Sequence, residues 1–342
     1  MVDGRFAVRG ICYDAGVLYE KTFDSRPQWN DTEARRDFHA IRHELGCTAV
    51  LIMASTPQRL RAAAQLAIEE DLEVWLQPRP FDEPTARVRT VVAEAATVAQ
   101  ELREAGATVG LVVWCELTLS AKGMLPGPTF WTRGMLLPLT WWLLPSANAR
   151  LRRLLDELVT LVRGRFDGPV SYGAGDWEEP DWGAFDLVGL DLYRDAHNRL
   201  RFADDLHALV SKEHAAGRRV MIFEFGSCAY RGAADKASQA AGVLRGSGSR
   251  LRVPARLERD EHEQAQYLAE LFDIFADVGV DGTFVWGFNE PVLYRSTDDP
   301  ERDLDLASYG IVASHPDGSW ETKRAYYTVA AEYGGQPRRA IP

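Results

Sequence analysis

At 342 residues the chain has room for a sizeable core, in either one large α/β barrel or two modest domains. Its 50 acidic and 39 basic residues leave a net charge of −11, which speaks against a nucleic-acid footprint and against an anionic membrane surface. The most apolar segment, 136–144, is broken by Pro138 and Pro145 well short of the roughly 20 residues that span a bilayer, so no integral membrane segment is expected.

Strand-like and helix-like runs alternate from end to end. A strand over 6–13 is followed by helical spacing over 32–45 (Ala34, Phe38, Ile41, Leu45), with Asp31 as the expected N-cap and Gly46 as the stop. A second strand over 47–53 leads to a helix opened by Thr56-Pro57, and a third over 73–78 leads to a long helix ending at Gly106. The fourth strand, 108–116, precedes an atypical apolar insertion over 117–146 and a helix over 148–163. A short fifth strand over 169–172, a Trp- and acid-rich turn, and a sixth strand over 187–193 follow. A helix over 202–216 then leads to the seventh strand, 219–225, whose run Val220-Met221-Ile222-Phe223 reads as covered on both faces. A helix over 261–278, an eighth strand over 282–288 and a helix over 322–332 complete the chain. Eight strands with crossover helices in one alternation are what a single (β/α)8 TIM barrel over 1–342 requires, with 117–146 as an insertion or lid. An open doubly wound sheet lacks its Gly-rich phosphate fingerprint here.

Cys12, Cys47, Cys115 and Cys228 lie in or beside predicted strands without short paired spacing, the pattern of reduced core thiols in a cytoplasmic protein. The first residues lead into a strand with no basic and apolar leader, so no secretory signal is expected.

In such a barrel the C-terminal strand ends share one mouth. Read in order they bring Arg9, Tyr13, Asp14, Met53, Gln77, Arg79, Glu116, Tyr172, Trp177, Asp191, Tyr193, Glu224, Trp286, Asn289 and Glu290. The set is rich in carboxylates and aromatics and has no histidine, so neither a metal nor another cofactor is expected. His39 and His43 have a zinc-compatible i, i+4 spacing, but they sit on a predicted helix, where a surface or core-edge role is the plainer reading. Glu224 ends an apolar strand, where an ionised carboxylate is costly unless it is paired or forms a site. Glu116 ends the fourth strand. Two carboxylates facing each other across a substrate about 5–5.5 Å apart suit glycoside hydrolysis with retention, one holding a proton and the other acting as nucleophile.

Four stretches resemble clan A of the retaining glycoside hydrolases: Val8-Arg9-Gly10-Ile11-Cys12-Tyr13, Trp114-Cys115-Glu116, Phe223-Glu224-Phe225-Gly226 and Phe284-Val285-Trp286-Gly287-Phe288. The resemblance implies a TIM barrel with Glu116 as acid/base, Glu224 as nucleophile, Tyr193 bonding the nucleophile and Trp286 as a platform beneath the sugar. One departure is Cys115, which stands where the clan usually has an Asn that touches the sugar 2-hydroxyl. Gln77, Asp191 and Asn289 are the candidates to replace that contact. Arg9, Tyr13, Asp14, Arg79, Trp177 and Glu290 are further substrate-contact candidates.

Blander readings stand beside these. Glu116 could form a buried ion pair with Arg79 or Arg9, Tyr193 and Trp286 could be core aromatics, and Asp191 could cap a loop. In the insertion, Phe130, Trp131, Trp141 and Trp142 suit a lid or aglycone wall, or equally an apolar interface for a homo-oligomer. The leading function is a cytoplasmic retaining O-glycosidase on β-linked oligosaccharides or small glycosides. The alternatives are a sugar-binding barrel without hydrolysis and a transglycosylating variant.

Overall fold

The computed structural model describes residues 5–20 and 23–336. The four N-terminal residues, on which the expectation of no leader partly rests, lie outside the described residues. Eight strands, β1 (Val8–Asp14), β2 (Ala49–Ala54), β3 (Glu73–Pro78), β4 (Val109–Cys115), β5 (Val170–Gly175), β6 (Leu187–Asp191), β7 (Arg219–Glu224) and β8 (Gly282–Val285), close into a parallel barrel with β1 paired to both β2 and β8. The helices α1 (Asp31–His39), α2 (Pro57–Glu69), α3 (Thr85–Glu104), α4 (Leu144–Arg163), α5 (Phe202–Ala215), α6 (Glu261–Val278) and α7 (Arg324–Tyr333) surround it. The expected (β/α)8 barrel is therefore observed. Between β5 and β6 the crossover is only a helical turn, Trp182–Ala184.

Local differences have local causes. The N-cap of α1 is Asn30 rather than Asp31, because the Asn30 side chain accepts the Thr32 and Glu33 N–H groups and leaves Asp31 as the first helical residue. After His39 the helix widens into a π turn, Ala40–Glu44. A hairpin of Val312–Ser314 with Trp320–Thr322 takes residue 322, so the last helix starts at Arg324.

The core has two layers. Between strands and helices lie residues such as Phe38, Ile52, Leu158, Ile222, Phe225 and Phe272. Inside the barrel Trp75, Phe223 and Phe284 meet with ring centroids 5.7 and 5.4 Å apart. These rings need glycine opposite them: a Cβ on Gly10 would lie 2.2 Å from the Phe284 ring, and one on Gly189 would lie 2.2 Å from that of Phe223.

Strict alternation fails on two strands, and both failures lie just below the mouth. Along β6 and β7, Leu190 pairs with Ile222 but Asp191 pairs with Glu224, so Phe223 is one residue extra. Phe223 fills the barrel, and the bulge turns the following Glu224 inward as well. On β4, Val112 pairs with Ser171 but Cys115 pairs with Gly173. Val113 and Trp114 both face the helices, and Cys115 returns to the interior. A bulge of this kind re-aims a side chain without disturbing the rest of the strand.

The insertion folds as a short helix, Leu117–Ser120, a helix over Phe130–Leu136 and two single turns running into α4, which begins at Leu144, earlier than the expected 148. Buried Arg133 anchors it by donating to the Leu119 and Gly127 carbonyls and pairing with Asp82. Among the described residues no helix is long and apolar enough to cross a membrane.

Candidate active site

Glu224 is 4% exposed and its carboxylate is fully engaged. Arg79, just past β3, donates to Oε1 and forms a buried ion pair with it, while Tyr193 donates its hydroxyl to Oε2 at 3.2 Å. The Arg79 guanidinium also donates to Gln77 Oε1 at 3.2 Å and Met53 Sδ at 3.0 Å, and it lies 4.7 Å from the centroid of the Trp286 ring. The buried ion pair considered for Glu116 thus belongs to Glu224. The Cys115 thiol sits 3.8 Å from Glu224 Oε1.

Glu116 leaves β4 in the left-handed region, at φ 44° and ψ 51°, a conformation that costs a non-glycine residue on the order of 1–3 kcal/mol and needs fixing from outside. Three hydrogen bonds provide that: Glu116 N–H to the Gly173 carbonyl at 2.9 Å, Leu117 N–H to the Tyr172 hydroxyl at 2.6 Å, and Thr118 N–H to Glu178 Oε1 at 2.8 Å. Glu178 also accepts from Thr118 Oγ1 at 2.7 Å and from the Tyr172 hydroxyl at 2.6 Å. The Glu116 side chain is left half-buried toward the mouth. Burial first, then the charges of Asp191, Glu224 and Glu178, hold its carboxyl well above the usual range.

Asp191 ends β6 with both carboxylate oxygens buried and bonded by no N–H or O–H of the protein, beside the Cys115 thiol. Burial, then the charge of Glu224, hold its proton too. Gln77 Nε2 and Arg79 Nε are likewise buried and unpartnered. Four orphaned polar atoms, two at the end of β3 and two at the end of β6, therefore collect around one ion pair. Such groups are rare in cores and normal where a polar ligand supplies the missing bonds.

The remaining candidates separate by direction. Arg9 is not at the mouth: it lies low on β1 and its guanidinium bonds the Tyr333 carbonyl at the end of α7. Tyr13 points outward, with its ring on Phe38 and its hydroxyl donating to Asp37 at 2.9 Å. Asn289 is occupied behind the mouth, accepting from Arg26 at 2.8 Å and donating to Asp37 at 3.3 Å, so it cannot replace the missing Asn contact. Asp14 caps its own turn through Gly16 N–H and the Ser25 hydroxyl. Trp177 turns toward the insertion and donates to Thr118 Oγ1 at 2.8 Å. Glu290 accepts Tyr309 N–H at 2.6 Å, and burial pushes it up to about 7. Trp131 is 44% exposed and stacks on Tyr19, with centroids 6.1 Å apart. Tyr19 stacks on Phe81 at 4.8 Å, and Arg79 lies 5.6 Å from the Phe81 ring, so an aromatic wall runs from the insertion to the ion pair. All four cysteines are buried and unpaired.

Sequence reasoning missed Glu178. Its only signal was an acidic residue in the Trp-rich turn after β5. Burial raises its pKa from 4.5 to about 7 even though hydrogen bonds from Tyr172 and Thr118 favour the anion. The folded chain therefore holds this proton more tightly than the unfolded chain between about pH 4.5 and 7, and its contribution to stability falls as pH rises through that window, by roughly 3 kcal/mol in all. Glu290 acts in the same direction. Unfolding by urea at pH 5, 6, 7 and 8 should show stability declining with pH, and Glu178→Gln should flatten the decline.

A GH113 β-1,4-mannanase superposes with a TM-score of 0.62 at 16% identity, covering 96% of this chain and 99% of its own. The GH113 β-mannanase AaManA from Alicyclobacillus acidocaldarius, in complex with ManMIm, gives a TM-score of 0.59 at 17% identity over 97% and 98% of the two chains. The likeness is one of fold, a closed (β/α)8 barrel shared over nearly the whole chain. A Bacteroides uniformis β-glucuronidase matches with a TM-score of 0.54 at 16% identity, and there this chain's barrel spans 35% of the longer protein. At the level of sequence no family model matches the chain, and no curated protein does.

Proposed function

We propose that the protein is a retaining O-glycoside hydrolase of β-linked oligosaccharides or small glycosides, with Glu224 as nucleophile and Glu116 as acid/base. The observation that carries this reading is the division of labour between the two carboxylates. One is ion-paired with Arg79 and bonded by Tyr193, the other is free of guanidinium and held toward its protonated form. Barrel neighbours that include mannanases and a β-glycosidase support it.

In the first step a Glu224 oxygen bonds the anomeric carbon as the bond to the leaving oxygen breaks, and Glu116 passes its proton to that oxygen. In the second, Glu116 takes a proton from water, which attacks the same carbon and releases Glu224. Asp191 and Gln77 are the groups with open hydrogen-bonding atoms to meet sugar hydroxyls in place of the missing Asn. The Arg79 guanidinium is already paired with Glu224, so the mouth suits neutral sugars better than uronic acids. Tyr19, Phe81, Phe130 and Trp131 would form the wall on the leaving-group side, a surface that also favours transfer to alcohol acceptors. The exposed Met135, Leu139, Trp141 and Trp142 on the outer face of the insertion are where a homo-oligomer would form. Four unpaired thiols fit a cytoplasmic location.

The test is an activated 2-fluoro β-glycoside followed by mass spectrometry. The expected result is time-dependent inactivation with one glycosyl group per chain on the peptide containing Glu224. Release of product with inverted anomeric configuration would overturn retention, and sugar binding without turnover across an aryl-glycoside panel would favour the non-hydrolytic barrel.

A further inference from the structure

His39 closes α1, His43 lies in the π turn that follows, and Glu70 caps the C-terminus of α2. The crossover helices run antiparallel to the strands, so these helix ends gather at the N-terminal face of the barrel, away from the mouth. The two imidazoles face each other with centroids 4.5 Å apart, and His39 Nδ1 and His43 Nε2 each lie 3.1 Å from the same oxygen, Glu70 Oε2. All three ligand atoms lie within 4.8 Å of one another.

We propose that this cluster binds a divalent transition-metal ion of the zinc type, independently of any glycosidase activity. Zinc bonds of about 2.0–2.2 Å to nitrogen and oxygen, at tetrahedral angles, place neighbouring ligand atoms about 3.3–3.6 Å apart. Two edges of the triangle are already 3.1 Å and the third is no longer than 4.8 Å, so side-chain rotation alone brings the three atoms around an ion. The chemistry agrees with the geometry. Two imidazoles and a carboxylate are borderline ligands that suit Zn2+, Ni2+ and Cu2+ rather than Mg2+ or Ca2+. Among the described residues the ion-pair partners of Glu70 are these two histidines alone. Both imidazoles are about half exposed, which leaves a coordination position open to water. The ion would tie the end of α1 to the end of α2, and conservation of the barrel rather than chemistry is the role suited to that face.

The experiment is calorimetric titration of ZnCl2 into the chelator-treated full chain at pH 7.5, with thermal unfolding alongside. One Zn2+ per chain is expected. At a zinc concentration about a hundredfold above Kd the midpoint should rise by about 4 °C. His39→Ala, His43→Ala and Glu70→Gln should each weaken binding at least about tenfold. Circular dichroism of each variant checks that the fold persists. Co2+ added to the unaltered chain should give the intense visible bands of tetrahedral coordination. No binding up to millimolar zinc, or unchanged affinity in the His39→Ala/His43→Ala double variant, would overturn the assignment.

Discussion

Glu224→Ala is expected to lower turnover of activated aryl β-glycosides by at least about four orders of magnitude, a loss of about 5.5 kcal/mol of transition-state stabilisation, with little change in affinity for the sugar. Glu116→Ala should behave differently. An aryl group that leaves without a proton hardly needs Glu116 in the first step, so the covalent intermediate should form and then stall for want of a base. Azide needs no deprotonation and should restore turnover in Glu116→Ala, giving a glycosyl azide of retained configuration. The pH profile carries the same assignment. Because burial and neighbouring charges hold the Glu116 proton, kcat/KM should fall as pH rises through the Glu116 titration, and that alkaline limb should vanish in Glu116→Ala with a good leaving group. Steady-state rates on a series of aryl leaving groups check both. Unchanged rates in the two variants would remove the enzymatic reading and leave the architecture.

The barrel was readable because β-strands covered on both faces are continuous apolar runs, and because each long crossover helix carries its own start and stop. Thr56-Pro57 opening α2 is one such signal, and Gly106 after α3 is another. Glu224 was readable for the same reason: a carboxylate at the end of Val-Met-Ile-Phe has no place in an ordinary core. What the residues alone could not show is direction. A period-two pattern does not reveal one extra residue, so the bulges that turn Cys115 and Glu224 into the mouth are invisible before the pairing register is known. The same uncertainty placed Tyr13 and Asn289 at the mouth, when one residue of register decides whether a strand-end side chain meets substrate or, as here, Asp37. Glu178 was hidden for another reason. Its role is to hold the backbone of residues 117 and 118 through Tyr172 and Thr118, and nothing in a turn's composition distinguishes a surface acid from a buried clamp.

Arg79→Leu tests whether the ion pair at the centre of the site acts through charge or through packing. Removing the guanidinium leaves Glu224 buried without a counter-charge, in reach only of the Tyr193 hydroxyl and the Cys115 thiol. Breaking one half of a buried pair costs on the order of 3–5 kcal/mol, which for a chain of this length lowers the midpoint by about 4–7 °C. Turnover should fall as well, because the nucleophile loses the partner that orients it. The double variant Arg79→Leu/Glu224→Gln separates the two effects. If charge is the cause, a neutral amide beside leucine removes the uncompensated anion, and most of the lost stability returns while activity does not. If instead Arg79 matters as the slab packed on Trp286 and Phe81, the stability lost with leucine is the same whether residue 224 is Glu or Gln. Thermal unfolding of the four proteins in one double-mutant cycle decides between them. A coupling of several kcal/mol would mean that the guanidinium and the carboxylate hold each other at the mouth by charge, and that neither can be buried there alone.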